Sequence, residues 1–209
     1  YYFAAAEIVK EDIIATFSGV RPLIDSGALS PSKEKRTHSV WENKGLVSVS
    51  GGKLTTFRLI AQDAIKAAEK HIKEFHLQAF SEHVFFPSDN NSVQSDSLSA
   101  ATIKCLQGFY GFQYPSVMAT INDKQEQEIA DAALVWGELR WIAANESVQH
   151  LDDLLLRRTR VGLLLEQGGL EFEAEIKDIC EQELGWSAQQ WQQEVERYKA
   201  ILVVHYRLP

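Results

Sequence analysis

Residues able to do chemistry gather around one short run, Gly51-Gly52-Lys53-Leu54-Thr55-Thr56. Two consecutive glycines let the backbone take positive φ and let a ligand approach closely. The run leaves a β-prone stretch, Leu46-Val47-Ser48-Val49-Ser50, and enters a segment with helical spacing. Free amides and the positive end of a helix dipole then face whatever sits at the turn. Such a place suits an anion: a phosphate, a carboxylate, or the N1–C2=O edge of a reduced flavin. Lys53 adds a full charge, and Thr55 and Thr56 add hydroxyls for ligand or backbone. A plain strand-to-helix turn with glycines for packing is the competing reading.

A second candidate is Gly19-Val20-Arg21-Pro22. Arg21 ends a predicted strand and Pro22 stiffens the exit, an arrangement that suits bidentate recognition of phosphate or carboxylate. Pairing with a structural acid is its bland alternative. Arg36 and His38 follow the polar loop 26–35 and either reach the same cleft or face solvent from a strand. Arg157, Arg158 and Arg160 fall within four residues of one predicted helix, beside Asp152 and Asp153. They cannot all share a face, and they read as ties between helices. His71, His76 and His83 lack the spacing of helical metal pairs and are assigned to the surface. With Cys105 and Cys180 in no paired motif, no metal site is expected.

The elements that position these residues change character once. Before residue 87 the pattern predicts strands at Ile13–Arg21 and Leu46–Ser50, a further one near Arg36–Trp41, and a helix striped by Leu54, Phe57, Ala61, Ala64, Ala68 and Ile72. Residues 87–99 are rich in Ser and Asn and read as a linker. Beyond it only helices are expected: Glu126–Ala143, Val148–Leu165, one marked by Phe172, Ile176 and Ile179 and stopped by Gly185, and one capped by Ser187 with Trp191, Val195, Tyr198 and Leu202 buried. The fold class is α+β: 1–86 an incomplete α/β segment, 87–99 a linker, 100–209 a helical domain.

Of the 209 residues, 45% are hydrophobic and 24% charged, ordinary for a globular chain. The net charge of −8 is uneven: residues 1–86 carry 11 Lys and Arg against 10 Asp and Glu, and residues 87–209 carry 10 against 19. The acidic second half argues against nucleic acid, whose phosphates need a basic face. Two isolated cysteines suggest a reducing, cytoplasmic setting. The chain starts on Tyr1 rather than Met, which reads as a piece of something longer.

Three motifs together resemble a known family. Phe17-Ser18-Gly19-Val20-Arg21-Pro22-Leu23, then Arg36-Thr37-His38, then Gly45 through Arg58 with its Gly-Gly-Lys-Leu-Thr-Thr core are similar to the flavin-dependent glycerol-3-phosphate dehydrogenases. Leu151-Asp152-Asp153-Leu154-Leu155-Leu156-Arg157-Arg158-Thr159-Arg160 resembles that family's helical C-terminal domain. The resemblance implies that 1–86 closes a flavin and substrate domain, with Gly51, Gly52, Lys53, Leu54, Thr55 and Thr56 against FAD. It implies that Arg21, Lys53 and Arg36 contact sn-glycerol 3-phosphate, which is oxidised to dihydroxyacetone phosphate while electrons pass to a quinone. It also implies peripheral contact with the inner face of the cell membrane and leaves a homodimer open. The Gly-x-Gly-x-x-Gly turn that holds the FAD pyrophosphate in such enzymes is absent from this sequence. No residue here is an obvious catalytic base, since Lys53 could serve only with a strongly depressed pKa; the base is expected outside the chain, and the chain alone is expected to be inactive. The near alternative is a glycerophosphate oxidase passing electrons to oxygen; a non-catalytic helical interaction module is the distant one.

Overall fold

The computed structural model describes residues 7–20, 37–73, 93, 95, 98–121, 127–130, 132 and 134–208. The chain forms two units, Ser18–His83 and a second built from Tyr1–Phe17 with Val84–Pro209.

In the smaller unit, β1 (His38–Asn43) and β2 (Leu46–Gly51) pair antiparallel, with His38 opposite Gly51 and Asn43 opposite Leu46. Lys44 and Gly45, both at positive φ, make the two-residue turn that suits the strand twist. A 3-10 turn, Leu54–Thr56, runs into α1 (Phe57–Glu69). The helix is tied to the hairpin by His38 Nε2 and Asp63 Oδ2 at 2.9 Å and by Lys70 donating to Glu42 Oε2 at 2.5 Å. No described residue of this unit is fully buried. The expected stripe is covered only in part: Ala64 and Ala68 are partly buried, whereas Leu54 is 88% exposed and Phe57 and Ile72 are about half exposed. The helix instead turns Ile60 and Asp63 inward.

The predicted strand beginning at Ile13 does not form through Val20. Ile13, Ile14, Phe17 and Val20 are exposed, and the Thr16 amide donates to the Tyr206 carbonyl at 2.8 Å. β-branched composition makes a strand only where a neighbour supplies an edge, and here the segment is divided, with Ile13 to Phe17 in the helical unit and Ser18 to Val20 in the smaller one.

That unit carries α2 (Ala100–Tyr110), α3 (Tyr114–Thr120), α4 (Trp136–Asn145), α5 (Val161–Leu164), α6 (Glu173–Leu184) and α7 (Ala188–His205). Gly185 ends α6 at φ 67°, and the Ser187 hydroxyl accepts from the Gln190 amide to start α7. All four expected α7 residues, Trp191, Val195, Tyr198 and Leu202, are buried. The Tyr198 hydroxyl donates to the Gly168 carbonyl at 2.7 Å, and a Cβ on Gly162 would sit 2.2 Å from the same oxygen. The helix expected from Glu126 starts only at Trp136. Ahead of it Ala130 takes φ 47°, and Glu128 bridges back to Val135. The single helix expected over Val148–Leu165 is interrupted as well. A π-helical turn spans Asp153–Arg158, and Arg160 adopts the left-handed conformation (φ 60°, ψ 9°) before α5. For a residue other than glycine that conformation costs about 1 kcal/mol or more.

The unit closes on Asp152, whose side chain is enclosed and accepts from both Arg157 and Arg197. Arg157 also reaches Asp153, and Glu194 on α7 accepts from the Leu151 amide at 3.0 Å and pairs with His150 Nδ1 at 2.9 Å. Burial alone would raise the Asp152 pKa; the hydrogen bonds from Arg197 and Arg157 hold it below the ordinary carboxylate value. A second buried carboxyl, Glu138, goes the other way. Desolvation lifts it to about 6 despite the hydrogen bond donated by Tyr110 at 2.7 Å.

Replacing Asp152 by Asn leaves two guanidiniums facing a neutral group and should cost about 3 kcal/mol, read from the urea midpoint. Because the folded pKa is lowered, this stabilisation is present at neutral pH and is lost as pH falls through it. Glu138 has the opposite sign. Its raised pKa favours the fold below the unfolded value of 4.5 and loses that contribution as pH rises through about 6. Wild type minus E138Q should therefore fall by roughly 2 kcal/mol over that window. A flat difference would place the Glu138 carboxyl in solvent.

Candidate functional site

The turn between β2 and α1 is built by its two glycines. Gly51 and Gly52 lie at φ 77° and 86°, a region where side chains are strained. At Gly52 there is also no room: a Cβ would stand 2.5 Å from Ile60 Cδ1 and 3.2 Å from His38 Cβ. Gly52 thus lets the chain pass between α1 and β1. Lys53 returns to an extended conformation (φ −128°, ψ 149°) and begins the 3-10 turn. Thr56 serves the turn itself. Its hydroxyl donates to the Lys53 carbonyl at 2.9 Å and stands 3.4 Å from the Lys53 amide.

This division of labour is finer than the sequence shows. Gly51, Lys53, Leu54 and Thr55 are exposed, and Gly52 and Thr56 are partly covered. The open face therefore offers bare backbone at Gly51, an ammonium at Lys53, a hydroxyl at Thr55 and an apolar side chain at Leu54. Amides of the first helical turns lie behind it. Such a set can hold a planar group with an anionic edge: backbone and charge for the edge, Leu54 for the ring. Sequence reasoning missed the His38–Asp63 pair. Its signal was the β1 register, which sets His38 beside Gly51, joined to an acid near the middle of α1. Arg21 and Arg36 lie outside the described residues. Among the described residues no group of three or more His, Cys, Asp and Glu is placed to hold a metal, and His71 is exposed, 3.2 Å from Glu42.

Residues 49–191, from the middle of β2 into α7, match the family described as the C-terminal domain of alpha-glycerophosphate oxidase. The chain belongs to that family. Its relatives include glycerol-3-phosphate dehydrogenase 2 of Mycobacterium tuberculosis, 28% identical over 94% of this chain and 36% of its own length. Glycerol-3-phosphate dehydrogenase of Mycobacterium leprae is 29% identical over 94% and 36%. The aerobic glycerol-3-phosphate dehydrogenase of Staphylococcus aureus is 28% identical over 94% and 40%. No solved structure matches. The chain therefore spans about 36–40% of the length of these relatives and corresponds to the C-terminal part of such an enzyme. Within this glycerophosphate oxidase family domain, the turn and the Asp152–Arg160 run both fall inside the matched residues.

Gly52→Ala should lower the thermal midpoint of the chain, with a cost of roughly 1–3 kcal/mol from the strained φ. Shortening Ile60 in the same variant relieves the clash but not the strain, so the double variant should recover only part of the loss. Full recovery would show that packing alone requires glycine there.

Proposed function

We propose that this chain forms part of a flavoenzyme oxidising sn-glycerol 3-phosphate to dihydroxyacetone phosphate, with electrons passing on to a quinone. The observation that carries the reading is the open Gly51–Thr55 face, lying in the family match and beside relatives named for glycerol 3-phosphate. Bound FAD would supply the hydride acceptor. Gly51, Gly52, Leu54 and Thr55 would line it, while Thr56 keeps the turn in shape. Lys53 would set its ammonium toward the anionic edge of the flavin and the substrate. Arg21 and Arg36 would hold the phosphate by charge-assisted hydrogen bonds.

The α1–hairpin unit supports the reading in a second way. Trp41, Leu46, Phe57 and Leu59 are about half exposed or more. An apolar surface of this kind is completed by further polypeptide. On this reading the pyrophosphate turn and the catalytic base lie outside this sequence, and the chain alone neither holds FAD nor turns over substrate. We assign the complete enzyme to the cytoplasmic side, peripheral on the inner face of the membrane, as a possible homodimer. Among the described residues no helix is long and apolar enough to cross a membrane.

An oxidase passing electrons to oxygen is the second reading, favoured by the name of the matching family. Oxygen uptake by the complete enzyme, with and without a quinone analogue, separates the two. In that enzyme Arg21→Ala should raise the substrate KM at least tenfold, the scale of one lost charged hydrogen bond, with FAD content unchanged. Unaltered KM removes Arg21 from the substrate site. The purified 209-residue chain should be colourless; a yellow flavin spectrum would contradict the division of the site.

A further inference from the structure

The helical unit contains a cleft of about 620 Å³, within the range of small-molecule sites. Leu106, Leu134 and Ile142 line its apolar part, and the exposed rings of Phe17 and Phe109 stand at its edge. Arg158 and Arg160 line it as well. Two residues so spaced on a continuous helix point to nearly opposite sides. The break after the π-helical turn, with Arg160 left-handed, brings both to one cleft. Non-glycine residues held in this conformation gather at ligand clamps. Their neighbour Arg157 is taken by Asp152 and Asp153. The Arg158 and Arg160 side chains have no hydrogen-bond or ion-pair partner among the described residues. Sequence reasoning assigned all three arginines to structure, and the geometry supports that for Arg157 alone.

Two carboxyls share the cleft. Glu138 is buried and engaged by the Tyr110 hydroxyl, and Glu146, partly buried, has no side-chain partner among the described residues. An anionic group is therefore directed to the arginines and away from α4. We propose that this cleft binds an amphipathic anion, its single carboxylate or phosphate head held by Arg158 and Arg160 and its aliphatic chain laid over Leu106, Leu134 and Ile142. The assignment is independent of the flavin reading, since every residue it uses belongs to the helical unit.

The test is calorimetric titration of the 209-residue chain with decanoate and with decyl phosphate, both below micelle formation, and with decyl maltoside as the neutral control. Saturable one-to-one binding of at least one anion and none of the maltoside is expected, and the preferred head tells a fatty carboxylate from a monoalkyl phosphate. The double variant R158A/R160A, checked for native helix content, should weaken binding at least tenfold, the scale of one lost charged hydrogen bond. E146Q, which keeps both arginines, should tighten it about threefold by removing a like charge. It also serves as the test should the double variant not fold. Absence of saturable binding, equal binding of the neutral detergent, an unchanged affinity in the folded double variant, or weaker binding by E146Q would each overturn the proposal.

Discussion

A carboxylate withdrawn completely from water must be neutralised where it stands, and Asp152 imposes that condition on the helical unit. Its two oxygens are served by Arg157, five residues on, and by Arg197 on α7. The first contact fixes the turn after Leu151, and the second fixes α7 against it. Glu194, one helical turn before Arg197, then captures the Leu151 amide and the His150 ring. Leu151, Leu154 and Leu155, fully buried between these polar ties, have one way to pack. A buried ion pair is weak evidence for stability by itself. Here its effect is registration, because an α7 slipped by one turn would leave Asp152 without Arg197.

The smaller unit is organised on the opposite principle. It has no enclosed carboxylate and no fully buried residue among those described. Two strands and one helix bury too little apolar surface to stand unaided. What holds its local form is geometry: positive φ at Lys44 and Gly45, the glycine passage at Gly51 and Gly52, and the His38–Asp63 and Lys70–Glu42 pairs. A face made this way presents backbone at Gly51 beside the exposed side chains of Lys53, Leu54 and Thr55.

Local signals explain how much the sequence discloses. The Ser187 cap, the Gly185 stop and the three- and four-residue spacing of Trp191, Val195, Tyr198 and Leu202 act within one or two turns, and α6 and α7 were readable from them. The Gly-Gly turn was readable for the same reason. The failures are non-local. Ile13 to Val20 has the composition of a strand, but strands need an edge that composition cannot specify. The left-handed residues Ala130 and Arg160 break two helices without a glycine or proline to announce it. Arg158 and Arg160 read as ties between helices until the break between them is seen. For the Gly51–Thr56 turn, motif order gave the residues, and only the backbone separated Thr56, spent on its own turn, from the open Thr55.

The hydrogen bond from the Thr16 amide to the Tyr206 carbonyl joins residues 190 apart in the chain. Ribosomes add about 5–20 residues per second, so roughly 10–40 s separate the synthesis of its donor from that of its acceptor. During that interval the segment carrying Ile13, Ile14 and Phe17 lacks the Tyr206 carbonyl that its backbone bonds in the folded chain. The helical unit can gather α2 through α6 as they emerge. The contact that ties the Thr16 segment to the end of α7 is therefore the last of the unit to close.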